Sequence, residues 1–222
     1  CIRDRVIDDV MRSAFYSSGQ RCSALRVVFV QEDIAQEYWE YLNEAMQEIK
    51  VGDPQKPCTD IGPIINKTSI SKLQDHVAKL KKQGKEFIET KGELDKQSFF
   101  MNPIAFKIDS IKEIDGEKFG PILHFISYKT SELDNLINEI NATGFGLTMG
   151  VHSRILDKAK QIFDKANVGN FYLNRDIVGA VVGVQPFGGQ GLSGTGPKAG
   201  GPNYLHSFCL LYTSDAADEC LC

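Results

Sequence analysis

The segment LRVVFVQEDIAQEYWEYLNEAMQEI, residues 25–49, joins a short apolar run to a longer amphipathic pattern. The run LRVVFV has the length and the β-branched content of a buried strand. Directly after it, apolar residues recur at helical spacing from residue 34 to residue 49. A buried strand that leads at once into an amphipathic helix is typical of proteins in which helices cover a parallel sheet.

The same alternation continues along the chain. Helical spacing of apolar residues recurs at 70–80, 133–140 and 155–166, and Ser131 and Asp134 have the spacing of a capping box before the second of these segments. Short β-rich runs lie among them: KEFI (85–88), LHFISY (123–128), LTMGV (147–151) and NFYL (170–173). We therefore predict an α/β fold with a mainly parallel, twisted sheet that is flanked by helices.

The composition is that of an ordinary globular protein. The 222 residues are 42% hydrophobic and 24% charged, which suits one large domain or part of a pair. The net charge of −4 gives no basic surface for nucleic acid or anionic lipid. No apolar run reaches the ~18 residues of a membrane span and no signal peptide is visible, so we expect a cytoplasmic protein. Because the sequence begins with Cys1, we also expect a piece of a longer chain.

The six cysteines show neither a pairing pattern nor a metal-ligand spacing. A Cys-x-Cys sequence at 220–222 could bind a metal ion, but no histidine or second cysteine pair accompanies it, so exposed thiols are favoured and no metal site is predicted. The segment 209–222, CLLYTSDAADECLC, continues none of the preceding patterns. We predict one domain over residues 1–208, followed by an appended or disordered tail.

Residues 174–202, NRDIVGAVVGVQPFGGQGLSGTGPKAGGP, have no helical or strand period. Their apolar residues argue against disorder, and a glycine-rich loop of this length inside a domain is usually functional. Glycine lets the backbone approach a ligand and present its N–H groups. A phosphate-binding loop is disfavoured, because the G-x-x-x-x-G-K-[ST] pattern is absent from the segment.

Cys22 lies in a polar turn, SSGQRCSALR (17–26), rather than inside an apolar run. A free cysteine is most often a buried structural thiol. However, a thiol beside exposed backbone N–H groups and a cation has the surroundings that a nucleophile requires. Both interpretations stay open from the residues alone, and Arg21 is either the activating cation or, preferably, a structural salt-bridge partner.

Three blocks together resemble the aldehyde dehydrogenase superfamily in their order along the chain. SSGQRCSALRVVFVQ is similar to its nucleophile segment, GEKFGPILHF to its Glu-x-Phe-Gly-Pro segment, and QPFGGQGLSGTG to its Phe-Gly-Gly loop. The resemblance runs from Val6 to about Phe208. GLTMGVHSRI, VGNFYLNRDIVGAVVGVQPFGG and GTGPKAGGPNYLH most resemble the L-glutamate-γ-semialdehyde (Δ1-pyrroline-5-carboxylate) dehydrogenases, including the C-terminal part of bifunctional proline-utilisation enzymes.

The resemblance implies NAD-dependent oxidation of glutamate semialdehyde to glutamate. Cys22 would attack the aldehyde and pass through a thiohemiacetal and a thioester. Glu117 would hold the nicotinamide ribose hydroxyls of NAD, and Phe119 would pack near the nicotinamide ring. From the residues alone, Glu117 and Phe119 would be a surface carboxylate and a core phenylalanine. Lys118 stands where the family usually has an apolar residue, which puts the local packing in doubt.

The resemblance also assigns the substrate's far end. Its α-carboxylate would bind to the hydroxyl of Ser23 and to the backbone N–H groups of Gly179 and Ala180, and Phe187 would pack on the aliphatic linker. Two alternatives stay open: an aldehyde dehydrogenase for another semialdehyde or an aliphatic aldehyde, and a non-catalytic binding protein that retains the fold.

Several parts that the family needs are expected upstream of this sequence. They are a general-base glutamate, an oxyanion asparagine and the N-terminal Rossmann-type cofactor domain, so we expect the chain alone to be inactive. The resemblance implies a homo-oligomer when the protein is complete, and FAD only if a proline dehydrogenase domain lies upstream.

Overall fold

The computed structural model describes residues 2–92, Leu94 and residues 99–208. Five α-helices lie in these ranges: α1 (Ile2–Phe15), α2 (Glu32–Gln47), α3 (Lys67–Lys82), α4 (Leu133–Ala142) and α5 (Leu156–Lys165). Helices α2 to α5 confirm the four amphipathic segments of the sequence. Helix α1 is additional, although Ile7, Val10 and Ala14 are buried at helical spacing within it.

Eight strands lie in the same described ranges. They are β1 (Val27–Gln31), β2 (Phe87–Glu89), β3 (Ile104–Lys107), β4 (Ile122–Tyr128), β5 (Phe145–Gly146), β6 (Thr148–Val151), β7 (Asn170–Leu173) and β8 (Gln190–Gly191). The main sheet has the order β1-β4-β3-β2, in which β1, β4 and β3 are parallel and β2 is an antiparallel edge strand. The predicted mainly parallel α/β fold is therefore confirmed.

Helices cover both faces of the main sheet. On one face, Leu123 and Phe125 of β4 pack in a cluster with residues of α1 and α2, including Trp39. On the other face, Ile122 and Ile126 of the same strand pack with residues of α3. The alternation along β4 places successive side chains on opposite faces, and both faces are buried, as expected for a central parallel strand.

A smaller parallel unit carries the C-terminal part of the candidate site. Strand β6 leads through α5 to β7, and β6 pairs with β7 in parallel, with Thr148 opposite Asn170 and Val151 opposite Leu173. Strands β5 and β8 form a separate antiparallel pair. Because β7 ends at Leu173, the glycine-rich segment begins at the carboxyl end of this unit, where parallel sheets present their loops.

The predicted capping box is wrong. Ser131 lies within a short 3₁₀ turn (Thr130–Glu132), and α4 begins after it at Leu133 with no side-chain cap. A capping box does form elsewhere, where Ser110 and Glu113 close the 3₁₀ turn Ile111–Glu113. The 3₁₀ turn shifts the start of α4 by one residue from the start that an N-cap at Ser131 would give, which the residue spacing alone did not indicate.

Two expectations concern residues outside the described ranges. The Cys-x-Cys sequence and the tail 209–222 belong there, so the domain boundary at residue 208 stays a prediction. Among the described helices, none combines the length and the apolar character that crossing a membrane requires.

Candidate active site

Cys22 follows a tight turn whose backbone is held in the left-handed region. Three successive residues have positive φ: Ser17 at 56°, Ser18 at 57° and Gly19 at 61°. A Cβ atom on Gly19 would overlap the carbonyl oxygen of Gly120, so only glycine fits at this point of the turn. The turn leaves Cys22 exposed, which excludes the buried structural thiol as its environment.

Side chains on either side of Gly19 anchor this turn to the segment 62–65. The hydroxyl of Ser18 donates to the carbonyl of Gly62 at 2.7 Å. The Gln20 amide donates to the carbonyl of Pro63 at 3.0 Å and accepts from the N–H of Ile65 at 2.9 Å. Gln20 therefore fixes the turn rather than facing the thiol.

Arg21 ties the turn to the glycine-rich segment. Its Nε donates to the hydroxyl of Ser17 at 2.9 Å, and its Nη1 lies 3.5 Å from the carbonyl oxygen of Val178, the residue before Gly179. These contacts give Arg21 a structural role, as preferred from the sequence. The partners are a hydroxyl and a carbonyl, so the expected salt bridge is replaced by hydrogen bonds.

Glu117 and Phe119 lie together on the loop before β4. The Glu117 carboxylate is about one-third exposed and lies 3.6 Å from Nε of Arg26, and the exposed Phe119 ring lies under the same guanidinium at 4.6 Å. Lys118 points elsewhere, because its Nζ contacts the carboxylate of Asp115 at 2.7 Å. The unusual lysine therefore leaves the Glu117 and Phe119 side chains in place beside Arg26.

Arg26 is a largely buried cation directly before β1. Its Nη1 donates to the carbonyl of Gly19 and its Nη2 to the carbonyl of Arg21 at 3.0 Å. Burial lowers the pKa of Arg26 below its ordinary value, and attraction to Glu117 offsets only part of that effect. Its Nε is buried and has no hydrogen-bond partner in the described structure, since Glu117 is too distant for a hydrogen bond.

A cleft of about 440 Å³ opens beside the thiol. Cys22 and Phe187 both line it, so the structure brings these two predicted site residues together. Phe187 is fixed by a backbone bridge to Ala199. The remaining wall comes from Leu147, Gly188, Gly189, Ser193, Gly194, Thr195, Gly196, Pro197, Ala199 and Tyr204. The glycine-rich segment thus forms most of a cleft whose one thiol is Cys22.

The other three predicted substrate residues are not among those that line this cleft. Ser23 is buried, and its carbonyl accepts from the hydroxyl of Thr148 at 3.4 Å. Gly179 and Ala180 are half-buried, and the carbonyl of Gly179 accepts from Arg175 at 2.9 Å. That bond turns the Gly179 carbonyl toward Arg175. The contact between Arg21 and the residue before Gly179 joins this segment to the Cys22 turn.

A buried histidine pair lies behind Arg26. Nε2 of His76 and Nε2 of His124 are 2.9 Å apart, and Nδ1 of His124 lies 2.9 Å from the carbonyl oxygen of Arg26. Because a carbonyl only accepts, His124 carries its proton on Nδ1 and accepts at Nε2 from His76. Burial lowers the pKa of both rings to about 4, so both are neutral at pH 7.

Arg26 and the two histidines are absent from the sequence-based prediction of the site. The signals were present. Arg26 is the only charge in an otherwise apolar strand run, and such a charge needs partners when it is buried. His76 lies at helical spacing from Leu73 and Leu80 on the buried face of α3. Within the described ranges, no group of three or more His, Cys, Asp or Glu side chains could hold a metal ion.

The parallel α/β fold and the exposed thiol on a glycine-rich cleft agree with the class of enzyme that the three sequence blocks resemble, the aldehyde dehydrogenases. The family model described as the aldehyde dehydrogenase family matches residues 2–213, and the chain belongs to this family. The resemblance inferred from the three sequence blocks is thereby confirmed.

Individual relatives narrow the comparison. The bifunctional protein PutA of Klebsiella aerogenes is 44% identical over 221 residues, covering 97% of this chain and 17% of that protein. A 1-pyrroline-5-carboxylate dehydrogenase of Geobacillus sp. (strain WCH70) is 38% identical over 201 residues, covering 88% of this chain and 38% of that protein. A crystal structure of a mutant of proline utilization A (PutA) from Bradyrhizobium japonicum is 47% identical with a TM-score of 0.86, covering 93% of this chain and 21% of that one. The chain thus spans less than two-fifths of the length of these relatives.

Proposed function

We propose that this chain is the catalytic part of an NAD-dependent aldehyde dehydrogenase that oxidises L-glutamate γ-semialdehyde to L-glutamate in proline catabolism. The observation that carries the proposal is the exposed Cys22 thiol on the wall of a 440 Å³ cleft, opposite a loop that contributes Phe187. The names of the relatives, 1-pyrroline-5-carboxylate dehydrogenase and PutA, support the substrate.

The thiol carries the covalent chemistry. The Cys22 thiol gives up its proton to solvent, its sulfur attacks the aldehyde carbon, a C–S bond forms, and the carbonyl π electrons move to the oxygen. The backbone N–H of Cys22 donates to this developing oxyanion, a type of contact whose removal costs about 3 kcal/mol. The turn is fixed on both sides by Ser18 and Gln20, so the N–H and the thiol keep a constant relation.

Glu117 and Phe119 fit a dinucleotide. The partly exposed carboxylate of Glu117 has acceptor positions for ribose hydroxyls, and the exposed Phe119 ring offers a flat apolar face. When bound, NAD⁺ supplies the acceptor for the hydride that leaves the thiohemiacetal carbon. The remaining thioester on Cys22 is cleaved by water, which releases the carboxylate, a proton and the free thiol.

The far end of the substrate needs donors for its α-carboxylate. We assign this role to the Ser23 hydroxyl and to the N–H groups of Gly179 and Ala180, and we assign the contact with the aliphatic linker to Phe187. The hydrogen bond from Arg21 to Val178 supports the assignment, because it joins the Gly179 segment to the turn that carries Ser23. The position of Phe187 in the same cleft as Cys22 supports the linker contact.

The larger setting of the reaction is also proposed. We expect the complete protein to work in the cytoplasm as a homo-oligomer, with NAD as its cofactor. FAD would be a cofactor only if a proline dehydrogenase domain lies upstream, and the word bifunctional in the name of the PutA relatives supports a second domain.

The test compares two exposed cysteines. In the longest natural polypeptide that contains this chain, Cys22→Ser is expected to lower NADH formation from glutamate semialdehyde by at least about 10³-fold. Cys58→Ser is the matched control, since both thiols are exposed and Cys58 lies outside the cleft lining. In the unsubstituted protein, iodoacetamide should modify Cys22 before Cys58, as read by mass spectrometry. Full activity of Cys22→Ser would overturn the proposal.

A further inference from the structure

The guanidinium of Arg26 is the contact point of two segments that are distant in the sequence. In the turn before Cys22, it donates hydrogen bonds to the carbonyls of Gly19 and Arg21. On the loop before β4, it lies beside the carboxylate of Glu117 and over the ring of Phe119. Each of these four partners contacts a different part of one planar group. The two carbonyls contact Nη1 and Nη2, the carboxylate lies nearest Nε, and the ring faces the guanidinium plane. A flexible point charge could not reproduce that arrangement.

Burying the charge of Arg26 costs desolvation free energy, so a role in packing alone does not explain why a cation occupies this position. Only 15% of the Arg26 side chain is exposed, and desolvation disfavours a charged group at such a site. A neutral side chain of similar volume would avoid that cost. Unlike such a side chain, the guanidinium makes directional contacts. Its Nη1 and Nη2 groups hold the backbone immediately before Cys22, and its Nε faces Glu117.

Nε of Arg26 is left without a hydrogen bond in the described structure. The Glu117 carboxylate lies 3.6 Å away, close enough for ionic attraction but too far for a hydrogen bond. The carboxylate is therefore oriented by Arg26 while its acceptor positions remain available to another donor.

We propose that Arg26 is a positioning residue that holds the Cys22 turn and the Glu117–Phe119 pair in one fixed relation. The inference rests on the proposed function, in which Cys22 attacks the aldehyde and Glu117 binds the ribose. Arg26 is not among the residues that line the cleft beside Cys22. It acts through the carbonyls of Gly19 and Arg21 on one side and through the carboxylate on the other.

Two substitutions distinguish the role of the planar guanidinium group of Arg26 from the role of its positive charge. Arg26→Lys keeps a cation but loses the planar fork, and Arg26→Gln removes the charge as well. Arg154→Gln is the control, because Arg154 is an exposed arginine on the loop between β6 and α5. All variants are made in the longest natural polypeptide that contains the chain.

The first measurement needs no turnover. The rate of iodoacetamide modification is followed separately at Cys22 and Cys58 without nucleotide. In both Arg26 variants the Cys22 rate should change by about tenfold while the Cys58 rate stays within about twofold, because only the Cys22 turn loses its hydrogen bonds. Cys58 is thus an internal control for general unfolding in the same molecule.

The second measurement separates positioning from simple loss of folded protein. At equal amounts of reactive Cys22, kcat should fall by about 10²-fold in Arg26→Lys and KM for NAD⁺ should rise, while KM for the aldehyde changes by less than about threefold. The effects of Arg26→Gln and Glu117→Gln on KM for NAD⁺ should be less than additive, since the two side chains are in contact.

The outcomes distinguish the two claims. Unchanged Cys22 modification and unchanged KM for NAD⁺ in Arg26→Lys would overturn the positioning role while leaving the proposed function intact. If Cys22→Ser retains full activity, the proposed function itself fails. Proportional changes at Cys22 and Cys58 would show that Arg26 only supports folding, which also overturns the positioning role.

Discussion

Gly19 packs so closely against Gly120 that any side chain at Gly19 would overlap the Gly120 carbonyl oxygen. The turn before Cys22 and the Glu-x-Phe-Gly-Pro loop therefore meet backbone to backbone. The contact joins glycines of two separate sequence blocks. Gly19 has the positive φ and lacks the side chain that would clash, and Gly120 provides the carbonyl oxygen that lies against it.

Substitution of Gly19 tests this contact. Gly19→Ala should cost about 1 kcal/mol for the positive φ and about 1–3 kcal/mol more for the overlap. Gly84→Ala is the matched control, because Gly84 has φ of 72° with no atom within 4 Å of an added Cβ. Urea unfolding should therefore show a larger loss for Gly19→Ala, and equal losses would contradict the close contact.

Ser23→Ala tests the substrate assignment. Loss of a hydrogen bond to a charged group costs about 1.5–3 kcal/mol, so kcat/KM for glutamate semialdehyde should fall by about 10- to 100-fold. The value for propanal, which has no carboxylate, should change by less than about threefold. Ser71→Ala, on the exposed side of α3, is the control. An equal loss for both aldehydes would favour an aldehyde dehydrogenase for another substrate.

The histidine pair predicts sensitivity to acid. In the folded protein both pKa values are lowered to about 4, while an exposed histidine has a pKa near 6.5. Between these pH values the unfolded chain binds more protons, so the free energy of unfolding decreases as the pH falls from 6.5 toward 4. The loss is about 3 kcal/mol for each histidine at the lower limit.

His76→Gln isolates this effect. Glutamine keeps an N–H donor toward Nε2 of His124 and does not titrate. The groups that face His76 stay the same: Asp115, which favours its protonation, and Lys79 and Lys118, which oppose it. Chemical denaturation from pH 7 to pH 4 should show a smaller loss of stability in the variant than in the unsubstituted protein. Parallel curves would contradict the assignment.

Periodicity predicted the parts of the fold that have a clear pattern. Helices α2 and α3 were evident because apolar residues repeat on one face over sixteen residues each. Strand β3 was not, since its four residues IAFK show neither alternation nor length. The predicted start of α4 is too early, because Thr130–Glu132 form a 3₁₀ turn, in which the Thr130 hydroxyl accepts from the distant Gln31 side chain at 3.0 Å.

The candidate site divides in a similar way. Cys22, Glu117, Phe119 and Phe187 could be proposed from sequence because they lie in short recognisable blocks. The role of Arg26 could not, since it depends on carbonyl groups seven and five residues earlier and on a loop ninety-one residues later. The histidine pair likewise joins α3 to β4, which only the folded chain brings together.

Helix α1 makes polar contacts with residues that are synthesised much later in the chain. The hydroxyl of Ser13 accepts from the N–H of Ile177, and the carboxylate of Asp9 lies 2.8 Å from His152. During synthesis the helix leaves the exit tunnel long before these residues exist, and a domain forms its long-range contacts only once both partners are available. A nascent chain therefore carries the Cys22 thiol before the glycine-rich residues that line the cleft beside it have been added.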